Sequence, residues 1–154
     1  MDIKIRKATP KDLPVLLDFE QRLIAVERPM DISLEQHKKI NYYDIGSFIE
    51  SDSAELYVAT IKDEIIASGY GLIKRNDAKF SYRKYGYIGF IYVKDEYRGQ
   101  GISKLIFNAI FNWFRTKKIV EVKLTVYEEN PSAIKAYEKL GFKKNLIEML
   151  YYLK

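Results

Sequence analysis

Between Ala54 and Val93 the apolar residues change their period, and that change limits the folds open to this 154-residue chain. Upstream, Leu13, Leu16, Leu17, Leu23 and Ile24 recur at helical spacing, whereas Leu56 to Ile61, Ile65 to Ile73 and Tyr85 to Val93 read as strands. The tight turn Lys62-Asp63-Glu64 joins the first two runs, and the polar stretch holding Lys74, Arg75, Lys79, Arg83 and Lys84 reads as a hairpin loop before the third. Gly69, Gly71, Gly86 and Gly89 interrupt these runs and predict bulges or close approaches of a backbone or ligand.

The flanks complete the pattern. Ile3 and Ile5 alternate with charges as a short strand, and Thr9-Pro10 supplies a cap and a first-turn proline for a helix that stops before Pro29. Ser33-Leu34-Glu35-Gln36 has the form of a capping box and predicts a second helix to about Tyr43, with Asp44 to Asp52 unassigned. A helix from about Ile102 to Thr116 turns Leu105, Ile106, Ala109, Ile110 and Trp113 toward the core. Val120 to Tyr127 alternates as a strand, Asn130-Pro131 opens a short helix closed by Gly141, and Ile147 to Leu153 is the expected final strand. The expected order is β-α-α-β-β-β-α-β-α-β, in one domain spanning 1–154, with no repeat or linker.

Composition removes several chemistries. The chain has no cysteine, so disulfides, thiolate metal sites and a cysteine nucleophile are excluded, and a reducing cytoplasm is the expected setting. His37 is the single histidine and has no spaced ligand partner, which sets aside a serine triad and a histidine-rich zinc site; no metal is expected. No apolar run approaches the roughly 18 residues of a membrane span, so a soluble protein with no membrane partner is expected. The net charge of +5 favours anionic partners, but the lysines are scattered, and neither an RNA-recognition aromatic motif nor a basic recognition helix is present. No nucleic-acid partner is expected.

The segment Val93-Lys94-Asp95-Glu96-Tyr97-Arg98-Gly99-Gln100-Gly101-Ile102-Ser103 joins a strand to an amphipathic helix. The first amides of a helix lack internal partners and carry the positive end of its dipole, so a glycine-containing turn there lets a pyrophosphate reach the backbone. Two glycines alone describe an ordinary turn equally well. Their setting decides: Arg98 and Gly101 fill two fixed places of Arg/Gln-x-x-Gly-x-Gly/Ala, Ser103 stands at the third as a small-residue departure that still permits close approach, and the segment resembles the acetyl-CoA motif of the GNAT N-acetyltransferase superfamily. Downstream, Asn130, Ala133, Tyr137, Gly141 and Phe142 are similar to that family's Asn-x-x-Ala-x-x-x-Tyr-x-x-x-Gly-Phe signature at every fixed position.

The resemblance implies an α/β (α+β) fold with a mixed, mostly antiparallel central sheet flanked by helices. It implies transfer of an acetyl group from acetyl-CoA, as co-substrate, to a primary amine by direct attack in a ternary complex. A small-molecule amine is the expected acceptor; a protein or peptide N-terminus or lysine is the alternative, and a non-catalytic acyl-CoA sensor a second one. Carried over residue by residue, Ile91, Tyr92 and Val93 would pair with the pantetheine arm. Arg98, Gly99, Gln100, Gly101, Ile102 and Ser103 would hold the pyrophosphate, and Asn130, Ala133 and Tyr137 would complete the cofactor site. Tyr137 is the implied acid.

Many relatives carry an acidic residue where this chain has Gly89, so the base does not carry over. Glu20, Glu27 and Glu128 are the alternatives, with Glu128 taken as the base. Glu20, Glu27, Tyr42 and Tyr43, together with Asp31 and Asp44, are the residues expected to attract and orient a cationic amine. Oligomeric state is open, a homodimer being one option.

Overall fold

The computed structural model describes residues 2–154. Five strands form one sheet in the order β1 (Ile3–Lys7), β2 (Ala54–Ile61), β3 (Glu64–Arg75), β4 (Lys84–Val93) and β5 (Val122–Lys123). The first three pairings are antiparallel and the last, β4 with β5, is parallel. The expected mixed, mostly antiparallel sheet flanked by helices is the architecture observed.

Helices cover both faces and divide the core in two. On one face α1 (Leu13–Glu27) and α2 (Ile45–Glu50) bring Leu16, Phe19 and Ile45 against Leu56, Val58, Phe90 and Tyr92. On the other, α3 (Ile102–Thr116) packs Ile106, Phe107, Ile110 and Phe114 against Ala59, Ala67 and Ile88, with α4 (Pro131–Leu140) adding Tyr137 and Leu140. Strand alternation distributes the side chains between the two faces, which is why the sheet reads as apolar on both.

Most local signals act as expected. Lys62 and Asp63 take positive φ in the β2–β3 turn, matching the twist of a hairpin. Thr9 precedes a short 3-10 turn, Pro10–Asp12, in which the Asp12 carboxylate accepts the Thr9 N–H at 2.8 Å before α1 begins. Asn130 Oδ1 accepts the Ala133 N–H at 3.2 Å, and Gly141 closes α4 at φ 108°.

Three expectations are corrected. No helix forms over Ser33–Tyr43; the second helix is α2, in the stretch left unassigned. The reason is that side chains take the backbone groups a helix would use. Gln36 Nε2 donates to the carbonyls of Arg28, Asp31 and Leu34, Arg28 donates to those of Glu35 and Lys38, and Asp31 accepts the Ser33 N–H. The strand expected over Val120–Tyr127 pairs only at Val122 and Lys123. The final strand expected over Ile147–Leu153 pairs with nothing among the described residues, and Leu146, Ile147, Met149 and Tyr151 are 86–88% exposed. No helix among the described residues is long and apolar enough to cross a membrane.

Close packing of α3 on the sheet yields a test. A Cβ at Gly86 would lie 2.5 Å from Phe114 Cζ, and Phe114 is buried on all sides. Gly86→Ala is expected to cost about 1–3 kcal/mol by overpacking. Calorimetry should show Tm falling by several degrees, with part of the loss recovered in the Gly86→Ala/Phe114→Leu double variant. Additive losses would show that the two positions do not clash.

Candidate active site

The site begins at a fault in the sheet. Pairing runs from Tyr70 opposite Gly89 to Ser68 opposite Tyr92, so Phe90 and Ile91 on β4 face the single residue Gly69 on β3. This is a β-bulge, and Phe90 adopts φ 57°, a left-handed conformation that costs a non-glycine residue roughly 1–2 kcal/mol. Packing holds it there. Phe90 is buried against the Tyr43 ring at 5.2 Å, and Ser68 Oγ donates to its carbonyl at 3.1 Å.

Already before the bulge β4 has lost its outer partner, since pairing to β5 ends at Tyr87 and Lys123. The Lys94 N–H donates to the Ile66 carbonyl at 2.9 Å, toward β3. Alternation turns Val93 the opposite way, and its carbonyl indeed accepts from Arg98 Nε at 3.0 Å. The Val93 N–H therefore faces the gap between β4 and β5, where no β5 carbonyl lies opposite. An extended ligand could add there as a strand, and an N–H in that position can polarise a carbonyl.

The turn after β4 has the shape a phosphate needs. A 3-10 turn, Asp95–Tyr97, leads to Gly99 at φ 76° and Gly101 at φ 78°, the latter immediately preceding α3. Nothing lies within 4 Å of where a Cβ would sit at either glycine, so conformation rather than crowding requires them, and the space over the α3 amides is open. Ile102 is buried beneath the turn and Ser103 is partly exposed. Arg98 is occupied with the turn itself: besides the Val93 carbonyl it meets Asp95 at 2.9 Å, and Gln100 reaches the Glu96 carbonyl at 3.4 Å. These two side chains shape the loop.

Tyr137 lies on α4 with its ring 5.6 Å from Phe107 and 6.3 Å from Phe142. Burial raises its pKa, and the negative charge of Glu27 raises it further. The α1 carboxylate is thus near enough to the α4 phenol for its charge to act on it. Burial likewise raises the Glu27 carboxyl, opposed by the Tyr42 hydroxyl and assisted by Asp31. Tyr42 lies close to Glu27, although its buried hydroxyl reaches no oriented hydrogen-bond partner. Asp31 accepts a hydrogen bond from the Tyr127 hydroxyl at 2.9 Å, tying the loop after α1 to the loop after β5.

The other expected acceptor residues separate from this group. Glu20 is wholly buried, and its Oε2 accepts the Tyr42 and Tyr43 N–H groups at 3.0 and 2.8 Å. It holds the loop rather than meeting solvent. Tyr43 packs against Tyr70 at 5.3 Å as part of the core. Asp44 caps α2 through the Ser47 N–H, and Glu128 is exposed on the turn before α4. At Gly89 a Cβ would lie 2.3 Å from the Tyr70 hydroxyl, so that phenol fills the place where relatives carry an acid. Sequence reading missed Tyr70, Phe90 and Tyr127; only the glycines around Phe90 gave a signal, by predicting a bulge. Among the described residues, no three His, Cys, Asp or Glu side chains are grouped to hold a metal ion.

A splayed sheet with a bulge beside the gap and a glycine turn onto a helix define a cofactor-dependent acyltransferase architecture. The model of the Acetyltransferase (GNAT) family matches residues 21–142, and the chain belongs to that family. It is 24% identical over 151 residues to a spermine/spermidine N(1)-acetyltransferase of Bacillus subtilis, covering 94% of this chain and 90% of that protein. It is 30% identical over 82 residues to N-alpha-acetyltransferase 30 of Saccharomyces cerevisiae, 53% of this chain, and that match spans about half, 47%, of the yeast protein. A predicted acetyltransferase of Clostridium acetobutylicum, solved with acetyl-CoA, superposes with TM-score 0.76 at 19% identity over 97% of this chain and 96% of that one. A mutant form of the BH1408 protein of Bacillus halodurans gives TM-score 0.88 at 21% identity over 98% and 99%. The chain is thus an acyl-CoA-dependent N-acetyltransferase acting with acetyl-CoA.

The left-handed geometry of Gly101 makes the turn testable. Gly101→Ala should cost roughly 1–2 kcal/mol of strain in the turn. KM for acetyl-CoA is expected to rise about tenfold with KM for the amine little changed. An unaltered KM for acetyl-CoA would separate this turn from the pyrophosphate.

Proposed function

We propose that the chain acetylates the primary amine of a small cationic molecule, with Glu27 as base and Tyr137 assisting the departing thiolate. The feature that supports this reading is that the Glu27 carboxylate acts electrostatically on both Tyr42 and Tyr137, so groups of α1, the following loop and α4 lie near one another. Glu128, exposed on its turn, gives up the base role to Glu27 on grounds of position.

The amine enters as an ammonium ion, attracted by Glu27 and Asp31. Glu27 takes one proton, directly or through water, and its raised pKa brings its basicity nearer to neutrality. The neutral nitrogen attacks the thioester carbonyl, whose developing negative charge faces the Val93 edge of β4. A C–N bond forms, the C–S bond breaks, and the nitrogen's second proton passes through solvent to the departing sulfur, so that coenzyme A leaves as the thiol. Tyr137 stabilises the sulfur as it leaves. A thiol titrates near 8.5 and an unperturbed phenol near 10, so a raised phenol is the weaker acid of the two. A hydrogen bond to the thiolate is therefore favoured over complete proton transfer.

Ile91, Tyr92 and Val93 are proposed to line the pantetheine arm. Arg98, Gly99, Gln100, Gly101, Ile102 and Ser103 form the pyrophosphate turn, and Asn130 and Ala133 start the helix that carries Tyr137. The relative matching nearly the whole chain is named for polyamines, which supports a small acceptor. The N-alpha relatives, 30% identical over about half the chain or a little more, favour a peptide N-terminus as the second reading. Thiol release from acetyl-CoA across parallel panels of small amines and peptides decides between them. A preference for small amines is expected; turnover confined to peptides would reverse the assignment.

Two variants test the roles. Tyr137→Phe is expected to lower kcat at least about tenfold with little change in KM for acetyl-CoA. Glu27→Gln is expected to lower kcat/KM about a hundredfold and to remove the acidic limb of its pH profile. In the wild type that limb should lie above the ordinary carboxylate range, because burial favours the protonated form. The sign for stability is opposite: above both pKa values the folded state carries a charge it disfavours, so Glu27→Gln should raise Tm at pH 7. A loss of activity accompanied by a lower Tm would indicate damage to the fold.

A further inference from the structure

Cations that are scattered along the sequence are gathered by the fold. β3 ends and β4 begins at the end of the sheet away from the glycine turn, and there Lys74, Arg75, Lys79, Arg83 and Lys84 are all exposed on the hairpin. α3 finishes at the same end, because Phe114 lies where a Cβ of Gly86 would sit, and Arg115, Lys117 and Lys118 follow it, also exposed. Against these eight cations stand Asp77 and Asp52, the latter one residue before the Ser53 carbonyl that accepts the Ile73 N–H. That excess is greater than the net +5 of the whole chain, so the rest of the molecule carries no positive surplus. Among the described residues none of the eight takes part in an ion pair.

The hairpin loop is fixed in a way that keeps this charge turned to solvent. The Asn76 N–H donates to the Arg83 carbonyl at 2.9 Å, and Asn76 Nδ2 donates to the Tyr82 carbonyl at 2.9 Å and to Glu121 at 3.2 Å. Lys123 of β5 sits over the rings of Phe80 at 4.6 Å and Tyr85 at 4.4 Å, with Glu121 3.7 Å from its ammonium. One cation of this end is thus used inside the structure, where it pins Phe80. The other eight repel one another, a cost that a bound polyanion would relieve. Tyr82, 46% exposed, stands beside Arg83 at the rim.

We propose that this face binds a single-stranded nucleic acid. The cofactor does not account for it: Lys84 and Val93 are the two ends of β4, roughly 30 Å apart along an extended strand, and the glycine turn lies beyond Val93. Cations drawn from two separate elements suit a chain of phosphates better than a single one. Three of them are arginines, whose planar forks match phosphate oxygens, and Tyr82 offers a ring on which a base can stack. An acidic protein fits less well, since five of the eight are lysines, a residue depleted from protein interfaces. A bilayer fits less well because it is gripped by projecting apolar groups, and the Phe80 ring is held beneath Lys123. With no base-reading motif in the sequence, contact is to the backbone and tolerant of sequence.

Fluorescence anisotropy of the full chain with a labelled oligouridylate of about 16 nucleotides tests this. Neutralising four or five phosphates should give a slope of roughly −3 for the logarithm of the association constant against that of salt concentration. Arg75→Glu/Arg83→Glu is expected to weaken binding at least about tenfold and to make the slope shallower. Lys4→Glu/Lys11→Glu, an equal change of charge at exposed residues on the β1 side, should leave it within about twofold. Tyr82→Ala should weaken binding about fivefold or more. All three variants should release thiol from acetyl-CoA at the wild-type rate, which shows the fold to be intact. Absence of binding, equal losses in the two charge variants, displacement of the oligonucleotide by acetyl-CoA, or equal affinity for a duplex of the same length would each overturn the proposal. Tighter binding of polyglutamate or of phosphatidylserine vesicles would overturn it in favour of an acidic protein or a membrane. Failure of the proposed acceptor or base would leave these binding readouts unchanged.

Discussion

One extra residue in β4 governs the rest of the molecule. Setting Phe90 and Ile91 against Gly69 interrupts the ladder with β3 and bends the strand just after it has lost its contact with β5. Gly69 permits this because Ile91 Cδ1 and Ile106 Cγ2 occupy the volume a side chain would need there. The strained Phe90 backbone is over-determined by its buried ring and by the Ser68 hydroxyl, so the bend is fixed before any ligand arrives. A site whose donors are already aimed loses little in reorganisation when charge develops.

Against this fixed wall stands one built almost entirely from loop. Residues 31–43 have few backbone bonds of their own, and their geometry is set by side chains that reach in from outside. Glu20 is the principal one. Two amides of the loop donate to one oxygen of this wholly buried carboxylate and so place Tyr42 and Tyr43 at the end of the segment, while its other oxygen has no hydrogen-bond partner among the described residues. Two turns further along the same helix, Glu27 is less deeply buried and has no such backbone clamp. Two glutamates of similar sequence context thus diverge, one becoming a structural anchor and the other a group whose charge is costly and available for chemistry.

The parts of the fold legible in the sequence are those whose causes are local. Asn130-Pro131 and Gly141 fix α4 by capping, Gly101 fixes the start of α3 by its left-handed φ, and Lys62-Asp63-Glu64 fixes a hairpin; each needs only its near neighbours. The helix expected over Ser33–Tyr43 failed because its cap signals are real but spent elsewhere: Gln36 and Arg28 use their donors on carbonyls a helix would have satisfied internally. The cofactor turn was readable for the same local reason. The acceptor side was not, because the hydrogen bond of Tyr127 to Asp31 spans 96 positions and the electrostatic influence of Glu27 on Tyr137 spans 110, and no periodicity connects them. Val120–Tyr127 shows a third kind of limit, in which alternation reports what a segment can pair with while the extent of pairing depends on strands outside it.

Charge distribution closes the mechanism. A chain of net charge +5 meets an anionic cofactor favourably at long range, yet the acceptor proposed for it is a cation approaching the same gap. Beyond about 10 Å salt screens the overall charge, so at the site the nearest groups dominate. There Glu27 and Asp31 reverse the local sign, while the tyrosines around them exclude water without adding charge. Burying a carboxylate beside Tyr42 and within reach of Tyr137 weakens each as an acid, which keeps the phenol protonated and makes the carboxylate a stronger base than an exposed one. The same desolvation that makes the Glu27 charge costly to the fold raises its affinity for a proton, as the proposed base role requires.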